Sequence, residues 1–447
     1  MNEEPSGNGT LTVPPWRLPD WLLLLVLAAI HFTHIMDFVI VIPLGPRFQD
    51  EMHLDTQQFG FVVSAYAFSA AISGLLAAGF IDRFDRKHAL LTLYGGFTVG
   101  TLLCAAAPNY WFLLLARVVA GAFGGIVGSL MFTIVGDAFH ESRRGTATGI
   151  VMSGFAIASI VGLPIGLQLA EWFGWWAPFA AVGGMGVMVL IAGAVIIPSL
   201  RRHLGKGAGR AATLWEVLTE PAHVRAYLLA SVLVMSSFMV MPYMPTYVVK
   251  NVGRDATELK WIYLCGGIAT LATMPLFGRM ADRFGKLAMF QVLAMATAVP
   301  LLVLTELPRV PLAVVLAAST LMMVTASGRM VPGMALITSC SLPRYRGSFL
   351  SVNSSLQQMA LGVAALIGGE LTATAPDGSV IGYPRVGYLA AIAALATVAL
   401  AARLRPVEGP SSVPLLPDDL ELSTDLLLSQ AGQDTPPLDT AVYVPSK

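Results

Sequence analysis

The chain has 447 residues, 55% of them hydrophobic and only 12% charged. A water-soluble globule with an ordinary surface cannot be made from that mixture, so most of the chain must face lipid or other helices. Lys plus Arg and Asp plus Glu both number 27, which leaves no basic excess to favour nucleic acid and no acidic excess to favour a solvating chain.

In chain order, Glu3, Glu4 and a lone Arg17 precede the first apolar run, and no small-residue cleavage site ends it. The expectation is a retained first span, not a signal peptide. Apolar runs follow near 21–44, 57–80, 88–107, 111–138, 146–169 and 177–197. After a polar stretch from Arg201 to His223 come six more, near 224–249, 258–281, 288–306, 311–338, 347–371 and 385–404. Each is close to the roughly 20 residues that cross a bilayer core. Pro164, Pro242, Pro275 and Pro332 inside the runs fit spanning helices, where neighbours re-satisfy a kinked backbone. The predicted organisation is an all-α integral membrane protein of twelve transmembrane helices. Its parts are an amino-terminal segment (1–20), a six-helix half (21–197), a linker (198–223), a second six-helix half (224–404) and a disordered acidic tail (405–447). Leu214 to Leu218 in the linker fit a short amphipathic helix.

Lys and Arg in short connections favour the cytoplasm. With the amino terminus inside, one face collects Arg83, Arg86, Lys87, Arg143, Arg144, Arg279, Arg283, Lys286, Arg344 and Arg346, with the linker's basic residues. The other has only Arg47, Lys250, Arg254, Lys260, Arg309 and Arg385, so both termini are expected to be cytoplasmic. Cys104, Cys265 and Cys340 are far apart and lack any neighbouring His pattern, which indicates neither a disulfide framework nor a metal site.

Two charged clusters repeat. Ile81-Asp82-Arg83-Phe84-Asp85-Arg86-Lys87 follows the second run, and Gly278-Arg279-Met280-Ala281-Asp282-Arg283-Phe284-Gly285-Lys286 follows the eighth, 200 residues on. An acid there meets the positive end of the next helix while adjacent Arg residues pair with it, a latch able to form in one conformation and break in another. Arg143-Arg144-Gly145-Thr146 and Tyr345-Arg346-Gly347-Ser348 form a second correspondence.

The clusters resemble the Gly-x-x-x-Asp-Arg-x-Gly-Arg/Lys loop signature of the major facilitator superfamily, over nearly the whole chain to about residue 404. The amino copy departs from it, with Ala78 and Asp85 where glycines are expected. Arg117-x-x-x-Gly121, with Gly124, Gly125 and Gly128, is similar to the family's intramembrane Arg and glycine-lined fourth helix. Gly162-Leu163-Pro164-Ile165-Gly166 resembles its antiporter motif in the arabinose-efflux-like, drug:proton branch. The resemblance implies two pseudo-symmetric halves in the major facilitator fold and a central cavity.

An ionisable side chain in hydrocarbon is costly and marks a functional pathway. Asp37 lies seven residues before Leu44, about 10 Å inside the outer end of its helix, and Arg117, six after Trp111, lies about 9 Å inside. If their helices share a cavity, as the resemblance implies, the two pair directly or through water. Protonation of Asp37 would then release Arg117 and couple a proton to rearrangement. The competing reading is a static ion pair that fixes packing. His31 and His34 precede Asp37 at spacings of three and fall within about 120° of one helix face, a candidate titratable stripe or simply hydrogen-bonding imidazoles. Tyr66, Ser69, Tyr243, Tyr247, Asn353 and Gln357 are candidate cavity walls, with interhelical hydrogen bonding the alternative for Asn and Gln. Arg329 is expected to snorkel to the inner interface or brace a carbonyl, and Glu171, Glu306 and Glu370 carry no expected role.

The expectation is a secondary active transporter working by alternating access, with proton-coupled efflux of a small organic compound or drug. Proton-linked uptake or facilitated diffusion of a sugar or metabolite is the alternative. No Walker A pattern is present, and neither the convergent groups of an enzyme nor a receptor's soluble module is found. No cofactor is expected beyond the proton gradient; the partners are a small-molecule substrate, the proton and the bilayer. The protein is placed in the bacterial cytoplasmic membrane as a functional monomer.

Overall fold

In lipid a backbone N–H must find its acceptor within the protein, so long apolar runs fold as helices. The computed structural model describes residues 17–77, 81–200, 214–341 and 345–404, which belong to one compact unit. Its helices are α1 (Leu18–Ile40), α2 (Gly45–Glu51), α3 (Thr56–Ala77), α4 (Arg86–Ala105), α5 (Tyr110–Ala138), α6 (Glu141–Ile157), α7 (Leu163–Phe173) and α8 (Ala177–Ile196). After the linker come α9 (Leu214–Thr219), α10 (Pro221–Phe238), α11 (Met244–Lys250), α12 (Leu259–Phe284), α13 (Lys286–Thr305), α14 (Leu312–Ser339), α15 (Arg346–Leu371) and α16 (Tyr383–Ala402). Strands β1 (Ala373–Thr374) and β2 (Val380–Ile381) form one antiparallel hairpin. The tail from 405, residues 201–213 of the linker, Ala78 and the side chains of Asp82 and Arg346 lie outside the described residues.

Eleven of the described helical segments are long and apolar enough to cross a membrane, with α6 and α7 joined as one span. Their outward surfaces carry side chains such as Leu25, Leu76, Ile191 and Val195, the covering that lipid requires. The remaining expected run, near 224–249, is divided into α10, a turn at 239–243, and α11. Pro242 and Pro245 account for the break, since neither has an N–H to continue the ladder. The first run ends in the same way: α1 stops at Ile40, and α2 begins just beyond the run after a turn around Pro43 and Pro46, each 199 residues before its counterpart.

The helix pairings of the first half recur in the second. α1 packs on α6 and α8 as α10 packs on α15 and α16; α5 packs on α3 and α4 as α14 packs on α12 and α13; α4 meets α8 as α13 meets α16. The halves join through α3 against α15 and through α7 with its preceding turn against α12. Pro164 explains that turn. Having no N–H for Ile160, it forces residues 158–162 into a wider π-helical turn, closed by Leu163 N–H donating to Ala158 O.

Polar contacts between the halves gather at one end, the outer one in the orientation expected from the charges. Asp50 pairs with Lys250. Thr374 Oγ1 accepts from Gln49 Nε2 and from the Thr56 N–H, both at 3.1 Å. Gln57 Nε2 donates to Glu370 at 2.5 Å, and Lys260 Nζ donates to Gln168 at 2.8 Å with Glu171 3.8 Å away. One apolar cluster runs through both halves here, including Phe48, Leu54, Trp175, Val248, Leu307 and Tyr383. Toward the other end the buried apolar residues divide, one cluster on α1, α4 and α5 and another on α10, α14 and α15.

Candidate functional site

Asp37 on α1 and Arg117 on α5 meet directly. Arg117 Nη1 donates to Asp37 Oδ2 at 2.8 Å, and neither residue has more than 1% of its surface exposed. Thr101 on α4 donates its hydroxyl to Asp37 Oδ1 at 2.9 Å, so both carboxylate oxygens are held. The guanidinium carbon lies 4.4 Å from the centre of the Tyr66 ring, a cation–π contact in a desolvated setting. The Tyr66 hydroxyl lies 3.2 Å from His34 Nε2, which lies 3.0 Å from the Gly124 carbonyl. That carbonyl only accepts, so Nε2 carries the proton of this bond and Nδ1, which has no partner, is the basic nitrogen. With Nε2–H turned to Gly124, the Tyr66 hydroxyl packs beside His34 without donating to it, and Tyr66 meets Arg117 through the face of its ring. Tyr66, expected as a cavity wall, is thus also packed into the charged site.

Glycines let α5 come this close. A Cβ at Gly121 would strike the Tyr66 carbonyl and the Ser69 hydroxyl, and one at Gly125 would lie 2.6 Å from Ala70 Cα. A Cβ at Gly124 would come within 2.6 Å of the Tyr66 hydroxyl. Gly162 and Gly166 do the same for α1, receiving Met36 and Ile40. His31 stands apart: its ring packs edge-on to Phe132 at 5.9 Å and its Nδ1 has no partner.

The sequence profile of the Major Facilitator Superfamily matches residues 27–231 and again 226–433. The chain belongs to this superfamily. This facilitator is thus a multi-pass membrane secondary transporter, not an enzyme. It is 24% identical over 364 residues to the uncharacterized MFS-type transporter YceJ of Bacillus subtilis (strain 168), covering 81% of this chain and 92% of that one. A second relative from the same organism, YtbD, is 25% identical over 357 residues, covering 79% and 88%. Among solved structures, a bacterial homologue of the human lysosomal transporter Spinster, inward-facing and unoccupied, superposes with a TM-score of 0.64. Identity there is 15%, over 87% of this chain and 96% of that one. The same homologue, inward-facing and occupied, gives 0.63.

Other expected site residues of the facilitator fall elsewhere. Tyr243 donates its hydroxyl to Ala365 O, and Tyr247 donates to Leu307 O at 3.2 Å, both buried at the sealed end. Asn353 is buried on α15 with its Oδ1 unpartnered, and Gln357 is half-buried one turn on. Of the charged clusters, Asp282, Arg283 and Lys286 are exposed at the α12–α13 corner, beside an open cleft bounded by Phe284 and Leu287. Arg83 is exposed, while Arg86 is buried with Nε 3.4 Å from Asp137 on α5. Asp85, noted in the sequence only as a departure, does most of the local bonding. It caps α4 through the Lys87 N–H at 2.9 Å and accepts from Ser199 Oγ and the Leu200 N–H, tying α4 to the end of α8.

Of the two expectations for Arg329, the structure favours bracing a carbonyl over snorkelling, since the residue is 1% exposed inside α14. Its Nη2 donates to Ser236 Oγ at 2.8 Å, Ser237 Oγ at 2.7 Å and Leu233 O at 3.4 Å, all on α10.

Sequence reasoning missed Thr101, the Gly124 carbonyl, the Ser236–Ser237 pair and the outer-end roles of Glu171 and Glu370. The repeated Pro-x-x-Pro at 43–46 and 242–245 was the available signal for the matched breaks.

Proposed function

We propose that this transporter exports a small organic compound in exchange for protons, as a member of the drug:proton antiporter branch. Asp37 is the proton-binding group. The observation that carries the reading is the Asp37–Arg117 pair, a carboxylate fully removed from solvent and held by one guanidinium and one hydroxyl. Neutralising the carboxylate removes its attraction for Arg117 and leaves a buried cation to be re-accommodated, which favours a rearranged packing of α1 on α5. His34 and His31 are the further proposed proton-coupling groups, about one and two turns before Asp37 on α1. The contacts at the outer end and the divided apolar clusters toward the other end suit a state that gives access from the inside. Asp282, Arg283 and Lys286, with their amino-half counterparts Asp82, Arg83 and Arg86, are proposed to latch the inner end in the alternate state. The proposed setting is the bacterial cytoplasmic membrane, with both termini inside and one copy sufficient.

The test is export by purified protein in oriented vesicles under an imposed inward proton gradient, with a broad compound panel. Gradient-dependent export of at least one compound supports the reading. Gradient-independent equilibration, or accumulation only in the uptake direction, removes antiport.

A further inference from the structure

Arg329 is the one buried cation described in the spanning helices with no carboxylate partner. Its Nε and Nη1 carry donors that meet nothing among the described residues. Placing an unpaired charge there is costly. Ser236 already donates its hydroxyl to Leu233 O at 2.8 Å, so that serine does not need the guanidinium to be satisfied. A methionine would fill the same volume without the charge.

The setting of Arg329 says what the charge is for. Its partner Ser237 precedes Phe238, whose ring lies 6.2 Å from that of Phe38 on α1, across the seam between the halves. Phe38 in turn lies 5.4 Å from Tyr66, so an aromatic chain runs from the α10 residue after Ser237 to the Asp37–Arg117 site. A cation with unspent planar donors, held by the residue that precedes one member of an aromatic pair, suits an organic anion: a carboxylate for the guanidinium and a flat apolar body for the rings.

We infer that Arg329 anchors the carboxylate of an aromatic organic acid, whose ring system lies between Phe38 and Phe238 when the halves part. This deepens the proposed export reading and rests on its central site. It also assigns the buried positive charges different tasks: Arg117 answers to Asp37, and Arg329 to the cargo.

The experiment measures the thermal shift of the purified full chain with 2-naphthoate, 2-naphthamide and 2-naphthylmethylamine, which share a body and differ in charge. The expected result is stabilisation by the carboxylate alone, abolished in Arg329→Met and partly kept in Arg329→Lys. Arg329→Met should itself melt no lower than the wild type, because relief of an unpaired buried charge offsets the hydrogen bonds lost to Ser236, Ser237 and Leu233; a marked drop in its melting temperature would assign Arg329 to bracing α10 and overturn the inference. Equal stabilisation by amide and carboxylate, or a naphthoate shift unchanged in Arg329→Met, would also overturn it. So would the absence of any naphthoate shift. If Asp37-dependent, proton-driven export of a neutral or cationic compound persists in that case, the cargo assignment alone fails and the transport reading stands.

Discussion

The two halves share a packing plan and differ in how they hold buried charge. In the first, Asp37 and Arg117 neutralise each other, with Thr101 on the free carboxylate oxygen and the Tyr66 ring under the guanidinium. In the second, Arg329 has only hydroxyls and a carbonyl. A self-compensated pair can change state by gaining a proton; an uncompensated cation can change state only by gaining an anion. The two halves thus share one scaffold and differ in the side-chain chemistry at its buried charges.

Removing one partner breaks this contrast most sharply. Arg117→Gln should lose about 3–5 kcal/mol in thermal or chemical unfolding, because Asp37 stays buried without its cation. Asp37→Asn combined with Arg117→Gln should recover most of that loss. Equal losses in the single and double variants would mean the pair does not act as a unit. Next in size, Gly125→Val should cost roughly 1–3 kcal/mol by forcing α5 off α3, while Gly128→Ala, with no atom within 4 Å of its Cβ, should be neutral or stabilising by up to about 1 kcal/mol. Parallel unfolding curves for both would refute the close-approach argument. Thr101→Val should cost on the order of 1 kcal/mol, since a hydrogen bond to the carboxylate is lost while its anchor on Arg117 remains.

The sealed end provides the smallest effect. Asp50 is 59% exposed, so Asp50→Asn should weaken the contact with Lys250 by no more than about 1 kcal/mol, read as at most about a fivefold rise in thiol labelling of Ala256→Cys. A much larger rise would make that pair the main lock instead of one of several contacts.

Much of this contrast could be read in the chain. Helix number and the duplicated plan follow from apolar run length and repeated loop charges, because lipid leaves a spanning backbone few alternatives. Matching depths in facing helices pointed to the Asp37–Arg117 meeting. Thr101 was invisible because a threonine on an apolar helix usually bonds its own backbone, as Thr101 also does to Phe97 O at 3.1 Å. For Arg329 the carbonyl was foreseen as one of two alternatives, but the two serines on α10 that hold it inward lie far away in sequence and gave no signal. Tyr243 and Tyr247 looked like cavity residues, but their hydroxyls answer carbonyls that only the fold brings near.

The central claim is that Asp37 carries the coupled proton. Its most direct test compares two modes of transport in the same vesicles, using a compound that the wild type exports against its gradient: equilibrium exchange, and accumulation driven by an imposed proton gradient. In Asp37→Asn, where the amide keeps an acceptor for Arg117 but cannot take up a proton, the account predicts that exchange continues and accumulation is lost. Accumulation at the wild-type level in that variant would contradict it.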